Sequence, residues 1–166
     1  ELRFRVYDRK HTQTDVPANV TVTVKDISEE AVLNSGSVRL SGITDEDFIR
    51  IWHYQTQKLT KSKAERFREK IAKLLEIPVE NVDVFSVQLR KRYPPVTDVR
   101  FSAHNSPYYK PVRLNGIVMM HREEIENEIG INITMVGIDE CLYEYTACSY
   151  GSCTNVMEIS TLPYMV

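Results

Sequence analysis

The chain has 166 residues, a formal net charge of −2, 42% hydrophobic residues and 27% charged residues. Those proportions are enough for a core of ordinary size, and they leave no basic excess to hold phosphates. No apolar run approaches the roughly 20 residues of a membrane span, and the opening ELRFRVYDRK is charged where a signal peptide would be apolar.

Residues 2–8 alternate, with Leu2, Phe4 and Val6 on one face and Arg3 and Arg5 on the other, and residues 20–27 alternate in the same way. Two half-buried strands are predicted, joined by a polar connection. A lone hairpin is marginal in water, so residues 1–27 need further strands or a neighbour to pack on. Residues 28–36 read as a polar connection, and 37–43, with Val38 and Leu40 alternating, as a strand. Thr44 is a helix N-cap with Asp47 three residues on, and Ile43 and Phe48 are spaced as a hydrophobic staple. That helix is expected from Asp45 to the His53 region, burying Phe48, Ile51 and Trp52. Ser62 and Glu65 form a full capping box, followed by Ala64, Phe67, Ile71, Leu74 and Leu75 at helical spacing. Strands are expected at 82–89 and 96–104, joined by a turn at Arg90-Lys91-Arg92-Tyr93-Pro94-Pro95. A third helix is expected over 115–130, with Asn115 as N-cap and Gly130 at its end. A last strand covers 131–138. From residue 37 the order is βαββαβ with one added helix, which is the ferredoxin-like order, with helices over one face of a four-stranded antiparallel sheet.

That fold hosts many functions. An RNA-binding version needs aromatics in an RNP1-type pattern on the central strands. Neither Phe85 nor Phe101 sits in one, and both read as core residues. The basic run 90–92 reads as a solvated hairpin end, and a ferredoxin-like nucleic-acid binder is kept only as an alternative. His104 has Asp98 near it in sequence but no nucleophile. His121 with Glu124 makes at most half a metal site, and REEIENEI reads as a solvated acidic helix face. The acidic runs lack the spacing of a calcium loop. Gly36-Ser37 at a strand start raises one chemical possibility. In a strained Gly-Ser bond the serine hydroxyl attacks the preceding carbonyl, and water opens the resulting ester. A flexible turn is the commoner meaning of so short a motif.

All three cysteines, Cys141, Cys148 and Cys153, fall within thirteen residues. Their spacing fits neither a zinc site nor a C-x-x-C redox pair. An odd count in a secreted chain suggests pairing beyond the segment. Asn19-Val-Thr21 and Asn132-Ile-Thr134 are glycosylation sequons and weakly favour the secretory route.

These stretches carry a family resemblance. LRFRVYDRKHTQTDVPANVTVTVKDI resembles the last two strands of a cadherin repeat. VRLSGITDEDFIRIW, VDVFSVQL, DVRFSAHNSPYYKPVRLNG and GINITMVGIDECLYEYTACSYGSCTNVMEISTLPY resemble the membrane-proximal module of invertebrate-type classical cadherins, epithelial or neural, with a lean to the epithelial type. A more distant likeness runs to seven-pass flamingo-type cadherins. The resemblance implies an α+β, ferredoxin-like (SEA-like) βαββαβ domain over 36–138, preceded by a two-stranded cadherin remnant and connection over 1–35. The start of a cysteine-rich EGF-like segment follows over 139–166.

By the same resemblance the chain is a non-catalytic stalk module, a spacer or joint near the membrane, in the extracellular part of a calcium-dependent adhesion receptor, a single-pass plasma-membrane protein at cell-cell junctions. Its neighbours would be cadherin repeats and EGF and laminin-G modules, with homophilic adhesion by the parent, catenins on the cytoplasmic tail and no nucleic acid. Proteolytic nicking in this region is a further implication, and it suits a self-cleaving module at Gly36-Ser37 as a second reading. The D-x-N-D-x-x-P calcium linker of a joined repeat is replaced by KDISEEAV, so calcium is expected in the neighbouring repeats and no cofactor in this segment. An EGF-like pattern implies Cys141–Cys153, with Cys148 bonded to a cysteine outside the chain. Cys148–Cys153 is also sterically feasible.

Overall fold

The computed structural model describes residues 26–51, 53, 54, 57, 58 and 61–139. The hairpin expected over 1–27, apart from Asp26 and Ile27, and the segment 140–166 with its cysteines lie outside them.

A short helix α1 (Glu29–Leu33) opens the described chain, where the sequence reading expected only a connection. Its signal is local. Ser28 accepts from the Ala31 N–H at 3.1 Å as N-cap, and Glu29 and Glu30 complement the first turn. Strand β1 (Gly36–Ser41) follows. Thr44 caps α2 (Asp45–Ile49) by accepting from the Asp47 N–H, and Phe48 is fully buried. The helix stops well short of the expected His53. Its C-cap Arg50 is already extended, and Ile51 remains 40% exposed. β-Branched and aromatic residues dominate IWHYQT and favour extended backbone. His53–Tyr54 (β2) and Gln57–Lys58 (β3) pair there as a small hairpin.

The capping box of α3 (Lys63–Leu75) forms as expected, with both the Ser62 and Glu65 side chains engaged. A 3-10 turn at Val79–Asn81 leads into β4 (Val82–Arg92), which pairs with β5 (Pro95–Ala103). The third predicted helix is two helices, α4 (Pro111–Met120) and α5 (Arg122–Ile129), broken at His121. It begins four residues before Asn115 because Pro111 fits the first helical position, where a missing N–H costs nothing. Gly130, at φ 73°, ends α5 in the left-handed conformation that glycine adopts without strain. Strand β6 (Asn132–Val136) is the last regular element among the described residues.

The four long strands form one antiparallel sheet in the order β4-β5-β1-β6. Register aligns one apolar face. Val38 lies opposite Val99 and Val136, Leu40 opposite Ile133, and Val84 opposite Phe101. Phe48, Phe67, Ile71, Leu114, Val118, Ile125 and Ile129 from α2 to α5 join these strand residues in one buried cluster. The opposite face is polar. Arg39 and Asp98 are register partners on it, and Arg39 donates to both carboxylate oxygens, at 2.7 and 2.8 Å. Phe101 is buried as expected, but Phe85 is only half-buried and outside the cluster. The β4–β5 register shifts between Val84 and Ser86, so Phe85 is the extra residue of a bulge, which lifts it off the ladder.

Candidate junction site

The head of β1 is the point where the described chain is tied together. β6 runs antiparallel to β1 and ends beside Val38. The chain therefore enters and leaves the sheet at the same end.

Ser37 makes three bonds there. Its backbone N–H donates to Asn115 Oδ1 at 3.1 Å. Its carbonyl accepts from the Gly137 N–H at 2.8 Å. Its Oγ accepts from the Ile138 N–H at 2.7 Å. β6 has left the ladder by this point, so an asparagine side chain and a serine hydroxyl replace the missing strand partner. Buried backbone groups require such replacements. Gly137, at φ 72°, lies so close to α4 that a Cβ would meet Asn115 Nδ2 at 3.0 Å. The entering side is tied too. Lys110 Nζ donates to Asn34 Oδ1 at 3.0 Å, and Ser28 Oγ donates to Tyr108 Oη at 3.4 Å.

Gly36 and Ser37, the expected cleavage candidates, are both buried and paired in register with Phe101 and Arg100. The glycine has a packing reason. A Cβ at Gly36 would lie 2.8 Å from Phe101 Cζ and 3.0 Å from Leu114 Cβ. Gly36→Ala is expected to cost roughly 1–3 kcal/mol by overpacking. Ser37→Ala is expected to cost about 1–2 kcal/mol, because it leaves the Ile138 N–H without its acceptor. Urea unfolding of both variants measures these costs; no change for Ser37→Ala would mean that Ile138 finds another acceptor.

Other sequence candidates are placed apart. His104 bridges to Tyr108 with ring centroids 5.2 Å apart, while Asp98 pairs with Arg39 and, at 3.3 Å, with Arg90. His121 does meet Glu124, at 3.1 Å, but that carboxylate also holds Lys70. Among the described residues no group of three or more His, Cys, Asp or Glu is placed to hold a metal ion, and no helix is long and apolar enough to cross a membrane. Phe101 stacks edge-on against Phe67 at 5.2 Å inside the core, where no base could reach it. Asn132 is exposed on β6, and its Nδ2 donates to Ser41 Oγ at 2.8 Å. Asn19 and the three cysteines lie outside the described residues.

Two important residues were missed in the sequence. Asn115 read as a helix cap and is instead the surrogate partner of Ser37. Lys70 is 99% buried in its side chain and bonds Glu124 and Glu128 of α5, each at 2.5 Å. The supposedly solvated face REEIENEI is therefore half of an ion-pair clamp between α3 and α5. The visible signal was a lysine three residues after Phe67 on an apolar stripe, matched by glutamates four apart on the later helix. The two carboxylates hold the Lys70 ammonium above its ordinary pKa, and the Lys70 and His121 bonds hold Glu124 below the usual carboxylate value. Burial, with Arg66 adjacent, lowers Lys63, whose Nζ caps α5 by donating to the carbonyls of Ile129 and Gly130.

The family model described as "DE-cadherin, Ig-like domain" matches residues 29–166. The chain is 74% identical over 165 residues to Neural-cadherin of Drosophila melanogaster, covering 99% of this chain and 5% of that protein. It is 56% identical over 171 residues to Putative neural-cadherin 2 of the same organism, covering 100% of this chain and 10% of that protein. Identity to Cadherin-related hmr-1 of Caenorhabditis elegans is 34% over 162 residues, covering 90% of this chain and 5% of that protein. The chain thus spans a tenth or less of the length of these relatives. The sequence resemblance leaned to an epithelial type, whereas the first two relatives carry neural-cadherin names. Although the family is described as Ig-like, the described residues combine helices with a four-stranded antiparallel sheet.

Proposed function

The chain belongs to the DE-cadherin Ig-like domain family, and from that membership we propose that it is a non-catalytic extracellular joint in the membrane-proximal stalk of a calcium-dependent adhesion receptor. One observation carries the reading of a joint. Entry and exit of the described domain share one end of the sheet, clamped through Ser37. A module so connected adds little to the length of a stalk and turns the chain back on itself.

The strand order β4-β5-β1-β6 with helices gathered on one face supports a ferredoxin-like, SEA-like domain over 36–138. Residues 1–35 then hold the last strands of a preceding cadherin repeat and the connection from it, and 139–166 open a cysteine-rich EGF-like segment. Cys141 pairs with Cys153 in that reading and Cys148 with a cysteine outside the chain. Calcium sits in the neighbouring repeats. The parent adheres through copies of itself and engages catenins through its cytoplasmic tail.

Small-angle X-ray scattering tests the joint. A receptor fragment with the flanking modules is compared with one from which 36–138 is replaced by a short flexible linker. Nearly equal maximum dimensions are expected. An increase by the full length of a domain in the intact fragment would make the module an in-line spacer and defeat this reading.

A further inference from the structure

We infer that Asn132 carries an N-linked glycan whose first sugar lies in a polar groove beside β6. The inference rests on the extracellular reading above, and three separate observations support it.

Asn132-Ile-Thr134 is a sequon, and both its asparagine and its threonine are exposed. It stands on β6, the outermost strand on that side of the sheet among the described residues. Asn132 also lines a groove of about 520 Å³ together with Ser41, Gly42, Asp47, Lys63 and Gly130. That volume is within the rough 300–1,000 Å³ range of small-molecule sites. The groove offers a hydroxyl and a carboxylate, with Ile43 and Ile131 as its apolar part. Its one ammonium is already committed to the Ile129 and Gly130 carbonyls. A neutral ligand rich in hydroxyl and amide groups, such as N-acetylglucosamine, fits this lining better than an anion.

The chemistry leaves the local geometry intact. The Asn132 amide nitrogen displaces a lipid-linked pyrophosphate from the anomeric carbon of the donor sugar. One N–C bond forms, one C–O bond breaks, and one amide proton leaves. The second amide proton stays, so Nδ2 can still donate to Ser41 Oγ, as it does at 2.8 Å.

The test uses the full receptor made in insect cells. Glycans are removed by amidase in heavy-oxygen water, which tags each formerly glycosylated asparagine by mass, and Thr134→Ala is compared with Thr134→Ser. A tag at Asn132 that Thr134→Ala abolishes and Thr134→Ser keeps is expected. Slower amide exchange at 41–43 and 130–132 in the glycosylated form is also expected. Tags elsewhere on the receptor with none at Asn132 would overturn the inference and leave the extracellular reading standing. A tag at Asn132 with unchanged exchange around the groove would overturn the seat for the sugar. No tag anywhere, with no labelling by a membrane-impermeant reagent, would overturn both.

Discussion

Replacing Glu124 and Glu128 together by alanine is expected to lower the melting temperature by on the order of 10 °C, whereas Lys70→Met is expected to change it little. The asymmetry follows from where each charge lies. The Lys70 side chain is 1% exposed, while Glu124 and Glu128 are 53% and 51% exposed. Removing the carboxylates leaves the ammonium of a buried side chain without the partners it bonds, and an uncompensated buried charge is the costly half of a broken pair. Removing the ammonium leaves two carboxylates that water already reaches, and methionine refills the space. Differential scanning calorimetry of the two variants decides it. Equal losses in both would mean that the pair acts through attraction rather than through the cost of stranding Lys70.

The same clamp sets a pH window. Lys70 is raised above its ordinary 10.5, so its contribution is complete below that value and is lost as pH rises through the folded-state value. Glu124 is lowered below its ordinary 4.5, so its contribution is complete above that value and is lost as pH falls through the folded-state value. The clamp is therefore at full strength between about 4.5 and 10.5. The double alanine variant should show a flatter acid limb than the parent.

Phe67→Ala is expected to cost roughly 3–5 kcal/mol, the range for deleting a fully buried aromatic ring. Phe67 is 0% exposed and stands between two other buried rings. Its centroid is 6.3 Å from that of Phe48 on α2 and 5.2 Å from that of Phe101 on β5, both edge-on. Edge-to-face pairs add to the area they bury. The ring thus joins a short helix, a long helix and the sheet. A helix as short as α2 has little stability of its own, so it should loosen first. Urea unfolding and amide exchange over 45–49 give the measurement. A loss below about 1 kcal/mol would mean that the neighbours close over the space.

Much of this architecture was legible because its signals are local. Ser62 and Glu65 specify the start of α3, Gly130 the end of α5, and the apolar alternation of 82–89 and 96–104 the central hairpin. Three of the misreadings share a cause, since each needed information from elsewhere in the fold. Asn115 looks like a cap until the end of β6 leaves Ser37 without a partner. The REEIENEI face looks solvated until Lys70 of α3 meets two of its carboxylates. Gly36 looks like a linker residue until Phe101 and Leu114 fill the space where its side chain would be. α1 is the exception, since Ser28 and the two glutamates after it were readable and were passed over. The junction was hidden for a further reason. That two ends of a domain meet is a property of strand order, and no single segment encodes it.

That meeting has a mechanical consequence for a protein under tension. When the two ends of the described domain are pulled apart, the ties of α1 at Tyr108 and Lys110 and the Ser37 bonds bear the load first. β1 and β6 are then loaded as a zipper, one hydrogen bond at a time, rather than in shear across all of them together. Such a domain should yield at low force. Once open, residues 36–138 would release about 350 Å of chain at roughly 3.3–3.6 Å per residue. In the stalk proposed above, the same connectivity would make this domain a shock absorber.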